Sequence, residues 1–234
     1  MQVSVGSQCV DCIKAARPDV KTRAKFWNAR QPTLVTYVLI VINAGVYLWT
    51  ASSPRNEIKL AVAEPFIANG EYYRLVSSGF LHFGIFHIFM NMVLLFQLGQ
   101  LLEPAIGRVR FGLLYFAALL AGSFGALIMQ PNGLTGGASG AVFGLMAAAA
   151  VGLHRRGDNI FQTGIGTVLI HNLVITFTIP NISIGGHLGG ATAGALVGFV
   201  LLAPPYAALP KWASYAAPMA VMLVSVVGSI AISG

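Results

Sequence analysis

Charged residues are scarce in this chain. Only 9% of its 234 residues are Asp, Glu, Lys or Arg, whereas 56% are hydrophobic. A soluble domain carries about 25% charged residues. So few charges cannot cover a water-facing surface, which excludes a soluble globular fold. We therefore expect an integral membrane protein, in which each crossing of a hydrocarbon core of roughly 30 Å takes about 20 apolar residues.

Acidic residues are fewer still, with 7 Asp and Glu against 14 Lys and Arg. Six of the basic residues lie between Lys14 and Arg30, just before the first apolar run. Such a cluster sets membrane topology and attracts anionic lipid. No basic groove with interleaved aromatic residues occurs elsewhere, so we expect membrane lipid and no nucleic acid as a partner.

Cysteine is nearly absent, with only Cys9 and Cys12 in QCVDC. A structural zinc site normally needs four ligands, and this pair supplies two. The nearest histidine is His82, beyond the first apolar run. We expect no metal in this chain; the alternative is a truncated zinc module or a site shared between two chains. The chain has no nucleotide fingerprint and no HExxH motif, so no cofactor is expected.

Long apolar runs, by contrast, are abundant. They predict an all-α, polytopic membrane helix bundle with about seven transmembrane helices. The fourth and sixth runs are short and rich in Gly and Ala, so we expect other helices to bury them. The runs cover residues 33–51, 81–102, 110–130, 138–153, 161–180, 186–203 and 212–233.

The segments between the runs divide the chain and orient it. We expect a basic cytoplasmic tail with a CxxC stub at 1–32, a six-span core at 33–205 and a seventh span at 206–234. Every second loop is basic, which predicts a cytoplasmic N-terminus and a C-terminus outside. The long loop at 52–80 is partly apolar, so we expect it to fold onto another part of the molecule.

Ser139 lies in GGASGAVFG, directly after the breaker-rich segment QPNGLTGG. This position predicts the first turn of the fourth helix, where unpaired N–H groups and the helix dipole favour an oxyanion. A serine among glycines in a membrane helix is more often a packing residue or bonded to its own backbone. A nucleophilic role therefore needs a base within reach.

His187 is the best candidate for that base. It shares one face of the sixth span with glycines, and the fourth span also has glycines four residues apart. Close packing of the two small faces would bring His187 alongside Ser139. The residues expected at this helix contact are Gly140, Gly144, Gly190 and Gly194.

No acidic residue lies in the outer halves of these two spans, so the sequence permits a Ser-His dyad rather than a triad. Phe143 lies one turn below Ser139 and could orient the imidazole by stacking. In the second span, His87 and Asn91 are four residues apart and share a face. With the Ser139 N–H they would form an oxyanion hole.

These motifs resemble the rhomboid intramembrane serine proteases, in order and in spacing. The matching segments are GGASG, HFGIFHIFMN and HLGGATAG, and YYR at 72–74 is similar to a motif of the family's first loop. The resemblance implies that Ser139 is the nucleophile and His187 the general base. It makes Gly137 the small residue two before the nucleophile. Apart from the resemblance, His82 is either interfacial or binds the water that attacks the acyl-enzyme.

Further site residues follow from the same resemblance. His87, Asn91 and the Ser139 amide resemble the oxyanion stabilisers. Phe143 occupies a position where the family often has Tyr. Arg74 and Glu103 resemble structural positions.

The resemblance covers about residues 33–205, a six-span core to which this chain adds one C-terminal span. It implies a serine endopeptidase of a bacterial plasma membrane that cleaves transmembrane protein substrates in or near their membrane helix. The alternative is a non-catalytic rhomboid-like protein that binds membrane clients; such proteins usually lack Ser or His at the two key positions. A transporter or proton relay would need intramembrane acids or an inverted repeat, and the sequence shows neither.

Overall fold

The computed structural model describes residues 33–204 and 209–234. The expected tail at 1–32, with Cys9 and Cys12, lies outside the described residues. Within them the chain forms ten α-helices and one short 3-10 helix, with no strand beyond an isolated bridge, so the all-α fold class is confirmed. The helices are α1 (Leu34–Thr50), α2 (Pro54–Leu60), α3 (Glu64–Ala68), α4 (Arg74–Ser77), α5 (Ile85–Ile106), α6 (Arg108–Met129), α7 (Ser139–Arg155), α8 (Ile165–Thr178), α9 (Ile184–Leu201) and α10 (Ala213–Ser233).

Seven of these helices coincide with the seven predicted apolar runs. Among the described helices, α5, α6, α9 and α10 are long and apolar enough to cross a membrane. The apolar helices α1 and α8 are shorter, and α7 has 17 residues. The chain is a multi-pass membrane bundle in which helix length varies with position.

The second predicted span begins four residues too early. Its apolar run starts at residue 81, but α5 begins at Ile85 because Gly84 has a φ of 103°. L-residues avoid this conformation and a helix cannot continue through it. His82 therefore lies in the loop before α5, and only His87 is on the helix.

The middle of the bundle is occupied by α7, which packs against α5, α6, α8 and α9. Every residue from 140 to 150 is buried. We expect other helices to bury α9, which corresponds to the sixth apolar run, and the structure buries it on one face only. Its glycine face is buried, but Leu196 and Phe199 are 61% and 53% exposed and face outward.

The loop at 52–80 folds onto the segment that precedes Ser139. Val62 and Thr135 exchange two backbone hydrogen bonds of 2.9 Å, and Glu64 N–H donates to the Pro131 carbonyl at 2.7 Å. Apolar residues of the loop itself, such as Ile67, are buried. The first loop thus supports the entrance to α7.

Arg74 holds that loop together from inside. Its guanidinium is buried and donates to the backbone carbonyls of Ile58 and Ala61 and to the Glu71 carboxylate. It also stacks 3.9 Å from the centre of the Phe66 ring. The Arg74 hydrogen bond, with one from the Tyr73 hydroxyl, lowers the pKa of Glu71 below its usual value of 4.5.

Glu103 joins the start of α1 to α5. Its buried carboxylate accepts from Val35 N–H at 2.9 Å, from Thr36 N–H at 2.8 Å and from Thr36 Oγ1 at 2.7 Å. These N–H groups belong to the first turn of α1 and have no partner within the helix. A carboxylate there also complements the helix dipole.

Candidate active site

Ser139 is the first residue of α7 and follows a loop that hydrogen bonds hold in place. Two residues earlier, Gly137 has a φ of 140°, and its N–H donates to the Ser78 carbonyl at 2.8 Å. A Cβ on Gly137 would stand 2.8 Å from His87 Nε2 and 3.4 Å from Ser139 Oγ. The absence of a side chain here leaves space between the serine and the His87 ring.

His82 lies behind this loop rather than in the cavity in front of it. Its ring is fully buried, with Nδ1 3.3 Å from the Phe80 carbonyl and Nε2 3.5 Å from Ala138 N–H. Nδ1 must donate to the carbonyl, so Nε2 is the acceptor. Both nitrogens therefore engage backbone, and this position favours a structural role over the expected interfacial or water-binding ones.

His87 and Asn91 lie one turn apart on α5, as their spacing indicates. The backbone N–H of Phe83 donates to His87 Nδ1 at 3.3 Å, which leaves the ring proton on Nε2, on the edge of the ring that faces Gly137. Asn91 donates one amide proton to the His87 carbonyl at 2.8 Å, and its second proton remains for another acceptor. The pair thus carries two donors beside Ser139.

His187 lies in the first turn of α9, whose N-terminus is capped by Ser183 Oγ accepting from Gly186 N–H at 3.1 Å. Its ring stacks on Phe143 of α7 with centroids 4.1 Å apart and an interplanar angle of 18°. Its Nδ1 lies 2.7 Å from Oγ1 of Thr176 on α8. Three helices therefore fix this imidazole.

Glycine backbones form the contact between α7 and α9. A Cβ on Gly190 would overlap the backbone of Gly140, and one on Gly194 would overlap that of Gly144. No side chain can stand between the helices at these levels. The Ser139 and His187 ends of the two helices are brought together by this contact.

A cavity of about 740 Å³ opens in front of these residues. Its walls are mainly apolar, and none of the described residues that line it is Asp or Glu. His82, Gly144, Gly190 and Gly194 lie outside its lining. The sequence-predicted residues that line it are His87, Asn91, Gly137, Ser139, Gly140, Phe143 and His187.

The Ser139 hydroxyl makes no hydrogen bond to any residue that the structure describes. It shares the cavity with His187 without being bonded to it. Catalytic hydrogen bonds of free enzymes are often long and tighten when substrate binds. Across residues 33–204 and 209–234, no three His, Cys, Asp or Glu side chains cluster as metal ligands would.

Thr176 is the residue that sequence reasoning missed. A threonine inside an apolar run is not distinctive in a sequence. Thr176 and His187 also lie on different helices with a loop between them, so their spacing along the chain does not predict a contact. The i, i+4 pair of Asn172 and Thr176 on α8 could have indicated a polar face directed at the bundle.

Comparison with known proteins relates the chain to one family. A family model described as the Rhomboid domain matches residues 69–204. The chain is 33% identical over 202 residues to the Rhomboid protease GluP of Bacillus subtilis (strain 168), which covers 82% of this chain and 39% of that protein. It is 36% identical over 140 residues to RHOMBOID-like protein 1 of Arabidopsis thaliana, covering 58% of this chain and 36% of that one.

A third relative is matched over more of its own length. The Putative rhomboid protease YdcA of Bacillus subtilis (strain 168) is 33% identical over 138 residues, covering 57% of this chain and 69% of that protein. The chain spans well under half of the length of the other two relatives. Because the family model covers more than half of its residues, the chain belongs to the rhomboid family.

Proposed function

We propose that this protein is an intramembrane serine protease that cleaves transmembrane proteins in or near their membrane helix. The observation that carries the proposal is the placement of Ser139 and His187. They come from two helices joined through glycine backbones, and both face one cavity. A packing serine would not need a cavity, a stacked imidazole and two further donors beside it.

In the proposed reaction, Ser139 Oγ attacks the carbonyl carbon of a substrate peptide bond while His187 Nε2 takes its proton. The carbonyl oxygen becomes an oxyanion as the carbon turns tetrahedral. His187 then gives the proton to the amide nitrogen, which leaves as an amine. An ester between the substrate acyl group and Ser139 remains.

Three donors are available to the oxyanion. The Ser139 N–H belongs to the first turn of α7 and has no partner within the helix. His87 Nε2–H and the second Asn91 amide proton belong to residues one turn apart on α5, and both residues line the cavity. Fixed donors in a site of low polarity stabilise developing charge more than water does.

Water from the cavity completes the cycle. His187 takes a proton from the water as its oxygen attacks the ester carbon, and Ser139 regains its proton when the ester bond breaks. A helical substrate hides its carbonyls in i→i−4 hydrogen bonds. We therefore expect substrates with Gly, Pro or polar residues that unwind the helix, and small side chains at the cut.

The test uses the purified chain in detergent beside Ser139→Ala and His187→Ala. Each sample is mixed with a fluorophosphonate probe and, separately, with a single-span substrate that has a Gly/Ala-rich juncture. The matched control is Ser229→Ala, because that buried serine only donates to the Ser225 carbonyl of its own helix. We expect the wild type and the control to label and cleave, and both dyad variants to lose the two activities.

A folded, monodisperse wild type that neither labels nor cleaves would refute the proposal. Ser139 would then be a packing residue, and binding of membrane clients without cleavage would become the better explanation of the cavity. Equal labelling of wild type and Ser139→Ala would instead place the reactive serine elsewhere.

A further inference from the structure

Thr176 makes two short contacts through one hydroxyl. Its Oγ1 lies 2.7 Å from the backbone carbonyl oxygen of Asn172 and 2.7 Å from Nδ1 of His187. Thr176 is 1% exposed and His187 is 7% exposed, so water cannot readily replace either contact. The two contacts together constrain where the protons are.

A threonine hydroxyl has a single proton, and a carbonyl oxygen can only accept. The contact with Asn172 therefore takes the Thr176 proton. Towards His187 the hydroxyl then presents a lone pair, and Nδ1 has to be the donor. The opposite arrangement would put two acceptor oxygens 2.7 Å apart with no proton between them, which is repulsive.

We infer that Thr176 is the positioning residue of the proposed dyad, because its hydroxyl holds the proton of neutral His187 on Nδ1. Nε2 then keeps the lone pair that must accept the serine proton. This inference rests on the proposed function and deepens it. In a Ser-His-Asp triad a carboxylate fixes the tautomer. Among the residues that the structure describes, no carboxylate lines this cavity, and a neutral hydroxyl occupies the position beside Nδ1.

The carbonyl contact alone would mean little. Thr178, two residues further along α8, also donates to the carbonyl four residues earlier, Val174, at 2.8 Å, and its side chain is exposed. Such back-bonds are common for threonine in membrane helices. What distinguishes Thr176 is the second contact, made across to another helix with an imidazole that faces the cavity.

The pair Thr176→Val and Thr176→Ser separates the hydroxyl from the shape of the side chain. Valine keeps the shape and removes the hydrogen bond, whereas serine keeps the hydroxyl. Thr178→Val is the matched control, since it removes the same kind of back-bond on the same helix. Thermal unfolding in detergent shows that each variant is folded.

We expect Thr176→Val to lower kcat and the fluorophosphonate labelling rate about tenfold, the value of one buried hydrogen bond, with KM unchanged. Thr176→Ser should stay within about threefold of wild type, and Thr178→Val should equal wild type. A merely structural role predicts a loss of stability without this split between kcat and KM. Wild-type kcat in a folded Thr176→Val would overturn the inference.

A second measurement uses the unmodified chain, so it stands even if Thr176→Val does not fold. ¹⁵N spectra of protein labelled at histidine distinguish protonated from unprotonated ring nitrogens, and His187→Gln identifies the His187 signals. We expect the neutral ring to carry its proton on Nδ1. A proton on Nε2 would overturn the inference while leaving the protease activity standing, whereas an inactive wild type would remove the proposed function first.

Discussion

Replacing Gly194 by alanine tests whether backbone contact between α7 and α9 sets the geometry of the site. The new Cβ would overlap Cα, C and O of Gly144, which are backbone atoms of a buried helix. A flexible side chain could rotate away from such a group, but backbone cannot. The two helices must therefore move apart, and with them the ends that carry Ser139 and His187.

The expected cost follows from two opposing terms. Overpacking a buried site costs about 1–3 kcal/mol, and a clash with backbone belongs at the upper end. Alanine is a better helix former than glycine by about 1 kcal/mol, which offsets part of this cost. The net change is a destabilisation of about 2 kcal/mol. A displacement of about 1 Å at a reacting pair also costs about 100-fold in rate.

The matched control is Gly112→Ala in α6, where a new Cβ would have no atom of the described residues within 4 Å. Gly112→Ala should raise the free energy of unfolding by about 1 kcal/mol and leave the activity unchanged. The free energies of unfolding of the two variants should therefore differ by about 3 kcal/mol. Thermal unfolding in detergent and the rate of fluorophosphonate labelling measure the two effects. Equal stability and equal labelling of both variants would refute a backbone-set geometry.

Three further outcomes are expected. Glu103→Ala should destabilise the protein by about 3 kcal/mol, because it removes the carboxylate that accepts from Thr36 and leaves buried N–H groups unpaired; an unchanged unfolding temperature would contradict this. His87→Ala should lower kcat about 100-fold with little change in KM if the ring stabilises the oxyanion, and a purely raised KM would argue for substrate binding instead. The lowered pKa of Glu71 means that its pairing with Arg74 stabilises the fold above pH 4.5 and is lost as the pH falls below it. Glu71→Gln should therefore flatten the acid side of the stability profile, and an unaltered profile would contradict the pairing.

The helices could be predicted from the sequence because apolar length is a strong signal, whereas their ends depend on single residues. The apolar run from residue 81 is continuous, and nothing in its composition shows that Gly84 takes a φ of 103° and that the helix begins after it. The sequence therefore predicts His82 in the second predicted span, whereas the structure has it in the preceding loop. The sequence also does not predict that one face of α9 is exposed, because Gly and Ala indicate close packing without showing on how many faces it occurs.

The candidate site likewise contains residues that the sequence predicts and one that it does not predict. Helix ends and small faces, which are local patterns, predict Ser139 and His187 as site residues, and both line one cavity. The sequence does not predict the role of Thr176 beside His187, because that role depends on the distance between two helices and on which atoms carry the protons. The distance between the helices is seen only in the structure, and the positions of the protons can be argued only once that distance is known.

The order of the helices along the chain has a consequence for biosynthesis. Ser139 and His187 lie on α7 and α9, with α8 made between them. At synthesis rates of about 5–20 residues per second, the roughly 50 residues that separate them take about 2–10 seconds to make. Throughout that interval the nascent chain contains Ser139 but lacks His187, the proposed base. On the proposed function, the protease therefore acquires its activity only after most of its own bundle has been synthesised.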